Sequence, residues 1–133
     1  MLQDRFGRTI DYLRISVTDR CDLRCAYCIP KGFRGFEMPH SWLTIDEIAR
    51  VVRVFASMGT KRIRLTGGEP LLRKDLTELV GNLRSIDGVQ DLSLSTNATR
   101  LAIHAYDLKR AGLDRINVSL DSLRGECVQQ ITG

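Results

Sequence analysis

Four short segments of this chain alternate apolar and polar residues with a period of two, and between them lie stretches whose apolar residues recur at helical spacing. The strand candidates are residues 12–17, 62–66, 91–95 and 115–120, and the helix candidates are residues 44–58, about 74–86 and about 102–111. Strand and helix taking turns in this way predict an α/β fold with a parallel sheet and right-handed crossovers. The first helix has clear ends: Thr44 and Glu47 stand at capping-box spacing, and Gly59 closes it. Its apolar face is Ile45, Ile48, Val51, Val52 and Phe55.

A parallel sheet covered by helices on both faces reads as nearly continuous apolar runs, whereas these strands alternate. Leu13, Ile15, Val17, Ile63, Leu65, Leu92, Leu94, Ile116 and Val118 share one face, while Arg14, Ser16, Arg64, Thr66, Ser93, Ser95, Asn117 and Ser119 share the other. Helices are therefore expected over the apolar face alone. The polar face would curve around a wet interior, as in an open or closed α/β barrel, of which this chain carries about four βα units. Arg14 and Arg64 in such an interior would attract phosphate or carboxylate, because guanidinium pairs with either in bidentate fashion. The alternative, that both arginines pair with acidic neighbours or lie on an exposed edge, stays open.

At 133 residues and 43% hydrophobic content the chain suffices for one globular core, and no Pro/Gly/Ser-rich linker divides residues 1–133. The net charge of +4 comes from 20 basic and 16 acidic residues scattered along the sequence, which reads as a solvated surface and gives no sign of nucleic acid. No apolar segment follows the opening MLQDRFGRTI as a signal would, and none reads as membrane-spanning, so the expected compartment is a reducing cytoplasm. Clustered cysteines in that compartment usually mean metal.

Cys21, Cys25 and Cys28 stand in the spacing Cys-x3-Cys-x2-Cys on the loop after the first strand. Three thiolates can hold three corners of a cubane iron–sulfur cluster, leaving one iron free to bind a substrate or cofactor, whereas clusters that only pass electrons take four cysteines. Structural zinc is the competing reading, with a fourth ligand from Cys127, His40 or His104, none of them at the spacing of a ribbon or knuckle. The second strand ends in Gly67-Gly68-Glu69-Pro70. Glycines at the carboxyl end of a parallel strand let backbone approach a ligand, although the same turn also serves as plain structure.

Cys21-x3-Cys25-x-Tyr27-Cys28, followed by the Gly-Gly-Glu-Pro turn, resembles the radical S-adenosylmethionine enzymes. Within that superfamily, YLRISVTDRCDLRCAYC, RIRLTGGEPLLR, STN and INVSLDSL are similar to the GTP 3',8-cyclase family, which begins molybdenum cofactor (molybdopterin) biosynthesis. The resemblance implies a partial radical S-adenosylmethionine barrel in which Cys21, Cys25 and Cys28 hold a [4Fe-4S] cluster. It implies that Gly68, Tyr27 and Ser119 contact S-adenosylmethionine, and that Arg14, Arg64 and Ser95 contact GTP. Reductive cleavage of that cofactor would lead to removal of the C3' hydrogen of GTP and ring closure at guanine C8. No side chain is then itself catalytic, and a reducing electron donor is required.

The chain departs from the family at several points. Serine stands at Ser95 where threonine is common and keeps the hydroxyl; Ala98 follows Ser-Thr-Asn where glycine is common; and Cys127 replaces an aromatic, reading as a small helical hydrophobe. The family also carries further βα units and a second [4Fe-4S] cluster in a C-terminal part absent here, and it allows a homodimer. These residues alone are accordingly expected to be inactive in cyclisation. A non-catalytic zinc or iron–sulfur module, or a radical enzyme with another substrate, remains the alternative.

Overall fold

The computed structural model describes residues 1–36 and 39–133; part of the KGFRGFEMPH stretch therefore lies outside the described residues. Strands β1 (Tyr12–Ser16), β2 (Arg62–Thr66), β3 (Asp91–Thr96) and β4 (Arg115–Val118) alternate with helices α1 (Ile45–Ser57), α2 (Leu76–Arg84), α3 (Leu101–Ala111) and α4 (Gly125–Thr132). All neighbours are parallel and the sheet order is β1-β2-β3-β4. A strand order that never reverses, joined by right-handed crossovers, puts every crossover helix on the same face. The result is a segment of a (β/α) barrel with β1 and β4 at its open edges.

Ile63, Leu65, Leu92 and Leu94 are fully buried beneath Ile48, Val52, Leu79, Val80, Leu83 and Leu108 of the three crossover helices. The period-two apolar face is thus the core. Local chemistry sets the helix ends. Thr44 caps α1 by accepting from the Glu47 amide at 3.3 Å, while Glu47 accepts from the Thr44 amide at 2.8 Å. Gly112 closes α3 at φ +101°, a left-handed conformation that costs glycine little.

Three expectations need correction. Val51 is 40% exposed, because the buried stripe of α1 is Ile48, Ala49 and Val52, and Val51 falls to its side. Val118 is 53% exposed although it shares a face with Ile116, since β4 is an edge strand. That strand also stops at Val118 rather than at residue 120.

Candidate functional site at the carboxyl ends of the strands

The loops that leave the carboxyl ends of the strands meet on one side of the sheet, the side where α/β proteins bind ligands. The turn after β2 is fused to the loop after β1. The Gly68 amide donates to Thr18 O at 2.8 Å and the Glu69 amide to Arg20 O at 2.7 Å. A Cβ at Gly67 would collide with the Thr18 carbonyl, and one at Gly68 with the Arg20 carbonyl; Gly67 also sits at φ +140°. The glycine pair therefore admits the protein's own chain, which brings residues 18–20 down onto the turn and aims the cysteine loop across it. The close approach that the glycines permit is thus first of all one of backbone to backbone.

Glu69 is 0% exposed, and two of its three side-chain hydrogen bonds reach across to the exit of β3. Its Oε1 accepts from the Leu71 amide at 3.0 Å and from Thr96 Oγ1 at 2.7 Å, and its Oε2 accepts from the Asn97 amide at 2.7 Å. A buried carboxylate is tolerable only when its lone pairs are filled in this way. The exit of β3 is thereby tied to the exit of β2. Ala98 then turns the chain at φ +64°, held by its amide donating to Thr96 Oγ1 at 2.9 Å, which explains why glycine would suit that position.

Cys21, Cys25 and Cys28 lie on the loop after β1, and all four cysteines are free thiols. Two N–H groups address the Cys21 sulfur: the Leu23 amide at 3.4 Å and Asn97 Nδ2 at 3.9 Å. Burial pushes the Cys21 thiol upward, with the nearby Asp22 and Glu69 carboxylates adding to it. The loop is pinned from below by α4, whose Thr132 and Ile131 carbonyls accept from the Arg24 and Ala26 amides at 2.8 and 2.9 Å. Among the described residues no three Cys, His, Asp or Glu side chains are gathered at metal-ligating spacing. Donor chemistry nevertheless fits an iron–sulfur cluster, because three thiols not engaged in disulfides share one loop and N–H groups aimed at sulfur suit a thiolate ligand. Cys127 lies on α4, half-buried, as its helical reading implies.

Tyr27 is exposed, and its hydroxyl donates to the Asp121 carboxylate at 3.1 Å. That hydrogen bond, above all, pushes the phenol up to about 12. Ser119 stands just beyond β4, where its amide donates to Thr96 O at 2.9 Å. On the polar face, Arg14, Arg64, Ser93 and Arg115 form one register row across the sheet, and Ser95 pairs with Asn117 one step nearer the loops. Arg115 is neutralised by Asp91, and Arg62 by Asp11 at 2.6 Å. Arg64 donates to Ser93 Oγ at 3.3 Å and lies over the Tyr12 ring, with no acidic partner among the described residues. Arg14 is exposed and has no hydrogen-bond or ion-pair partner among them. Among the described residues neither arginine pairs with an acid, while exposed Arg14 on edge strand β1 fits the exposed-edge half of the alternative.

A profile of the Radical SAM superfamily matches residues 15–133. The chain belongs to that superfamily. Membership implies a 4Fe-4S cluster and S-adenosylmethionine as cofactors. Proteins named GTP 3',8-cyclase are similar over nearly the whole chain: one from Listeria welshimeri is 50% identical over 133 residues, and one from Limosilactobacillus fermentum 47% over 131. These alignments cover 99% and 98% of this chain but 40% of each relative, so the chain spans about two fifths of their length. Among solved structures, BtrN in an open conformation superposes with TM-score 0.64 at 21% identity, covering 91% of this chain and 55% of that one. HydG, a maturase of the [FeFe]-hydrogenase, superposes with TM-score 0.71 at 15% identity over 91% of this chain and 28% of that one. At such identities these two establish the fold alone. Among the described residues, no helix is long and apolar enough to cross a membrane.

Three residues of the site carry no signal of their own in the sequence: Glu69, Asn97 and Asp22. Glu69 and Asn97 sit inside the motifs Gly-Gly-Glu-Pro and Ser-Thr-Asn, but only the fold brings them together.

Proposed function

We propose that this chain is the N-terminal barrel segment of a radical S-adenosylmethionine GTP 3',8-cyclase, acting in a reducing cytoplasm on GTP with a reducing electron donor. The observation that carries this reading is an identity of 47–50% to proteins named GTP 3',8-cyclase over 98–99% of this chain. Cys21, Cys25 and Cys28 would hold the [4Fe-4S] cluster. Tyr27, Gly68 and Ser119 would border S-adenosylmethionine, and Arg14, Arg64 and Ser95 would take GTP. When bound, the two cofactors supply the radical chemistry.

The chain's own residues orient and shield. Arg14 and Arg64, free of acidic partners among the described residues, stand in register on adjacent strands of the polar face and offer two guanidinium groups to a polyanion such as triphosphate. The Ser95 hydroxyl stands on the same face, nearer the loop end. Glu69 fixes the loop floor so that the cysteine loop and the exit of β3 keep a constant spacing. A complete barrel would exclude water from this face. Residues 1–133 leave it open at β1 and β4, and with it the cyclisation step incomplete.

The test is an anaerobic assay of the full-length protein, reconstituted with iron and sulfide and supplied with dithionite, S-adenosylmethionine and GTP, followed by mass spectrometry. A 3',8-cyclised nucleotide is expected. Formation of 5'-deoxyadenosine with GTP unconsumed would point instead to a radical enzyme of another substrate, and one tightly bound zinc would point to a structural module.

A further inference from the structure

We infer that Asn97 is a positioning residue for the cysteine loop, and that its side-chain amide, oriented by Thr99 and Asp22, directs one N–H at the Cys21 sulfur and so raises the reduction potential of a cluster held there. This rests on the reading of Cys21, Cys25 and Cys28 as cluster ligands, and extends it to a residue that the motif spacing does not assign.

Both ends of the amide are spoken for. Asn97 Oδ1 accepts from the Thr99 amide at 3.0 Å, while Nδ2 donates to Asp22 Oδ1 at 2.8 Å and faces Cys21 Sγ at 3.9 Å. An amide nitrogen has two hydrogens, and these two acceptors use both. Reversing the group would set its oxygen against a carboxylate and a sulfur, and its NH2 against the Thr99 N–H, so the network admits one orientation. The backbone beneath is equally fixed, since the Asn97 amide donates to the fully buried Glu69 at 2.7 Å.

Asp22 is the second half of the device. It lies one residue beyond Cys21, accepts from Thr99 Oγ1 at 2.6 Å, and faces Arg100 at 4.0 Å. The β3–α3 connection thus holds the cysteine loop at two points, Asp22 and Cys21. Hydrogen bonds to ligating sulfur favour the more negative, reduced state of a cluster and raise its potential. At 3.9 Å the Asn97 contact is longer than the Leu23 amide's 3.4 Å, so it is the weaker of the two donors.

Two variants of the reconstituted full-length protein separate this from simple tethering, with iron per chain and the cluster midpoint potential as readouts from an EPR-monitored titration. Asn97→Ala should keep its iron and shift the midpoint to more negative potential. Thr99→Val removes the hydroxyl that tethers Asp22 and also lies 2.9 Å from Asn97 Oδ1, but keeps the backbone N–H that orients Asn97, and should shift the midpoint by less than Asn97→Ala. An unshifted Asn97→Ala, or a Thr99→Val shifted as far as Asn97→Ala, overturns the inference. Should Asn97→Ala hold no cluster, wild-type protein carrying ¹⁵N-asparagine decides the matter by pulsed EPR: an asparagine nitrogen coupled to the reduced cluster supports the assignment, and a silent spectrum overturns it. Failure of the wild type to take up iron at all would overturn the cluster reading of the loop, and this inference with it.

Discussion

Glu69 Oε2 accepts the backbone N–H of Asn97 at 2.7 Å across 28 residues of sequence, with Glu69 wholly buried. That bond joins the exits of two neighbouring strands and supports everything above it. Glu69→Ala would orphan the Leu71 and Asn97 amides and the Thr96 hydroxyl. The expected loss is roughly 3–5 kcal/mol of unfolding free energy, from unsatisfied donors plus a cavity. Glu69→Gln keeps one acceptor oxygen and should lose less. Urea unfolding of the three proteins checks the order.

The glycines separate in the same assay. Gly68→Ala must push the Arg20 backbone aside, so it should displace the cysteine loop and lower iron uptake on reconstitution. Gly81 lies within α2, where an added methyl group would meet nothing within 4 Å, and Gly81→Ala should stabilise by about 0.5–1 kcal/mol with normal iron uptake. Iron content and urea midpoints for the pair are the measurement.

Acid stability depends on Asp75. Arg73, 5% exposed, donates to the Val17 and Leu43 carbonyls and to Asp75 at 2.7 Å, and this partner holds the Asp75 carboxyl below its ordinary value of 3.8. A lowered carboxylate adds stability that is complete above the unfolded value and fades as pH falls through the folded one. Because Asp75 is 42% exposed, solvent screening keeps the contribution to about 1 kcal/mol or less. Asp75→Asn should therefore be less stable than wild type at pH 7, with the gap closing below about pH 4. Urea unfolding at the two pH values checks it.

On the polar face, Arg14→Ala and Arg64→Ala should each weaken GTP binding in the full-length protein by roughly 1.5–3 kcal/mol, the worth of a charge-assisted hydrogen bond. Cluster content should not change. Nucleotide titration by calorimetry reads both, and unchanged affinity in the pair would return the arginines to a structural role.

Much of the fold was legible because its signals are local. The capping box at Thr44, the αL glycine at Gly112 and the period-two strands depend on residues a few positions apart, and the elements formed within about two residues of expectation. The largest shortfall among the strands is at β4, which ends two residues early, while β1 ends one residue early. Val51 and Val118 were misplaced because burial depends on which neighbour covers a face, and an edge strand lacks one. Ser93 shows the reverse: it lies on the polar face yet is buried, donating to Ile63 O at 3.2 Å. The three cysteines could be found by spacing. Glu69, Asn97 and Asp22 could not, since their bonds span as many as 77 residues, as in Asp22 with Thr99, and arise only when the strand ends meet.

The measurement that bears most directly on the account is iron stoichiometry, with the EPR of the reduced cluster, for the anaerobically reconstituted full-length protein carrying Cys25→Ala or Cys127→Ala. Cys25 should be indispensable to the N-terminal cluster, because two thiolates cannot hold the cubane, so Cys25→Ala should lose about four irons per chain and the signal that S-adenosylmethionine perturbs. Cys127→Ala should match wild type. Equal loss of iron and signal in the two variants would mean a four-cysteine site with no open iron, and would contradict the three-ligand radical centre.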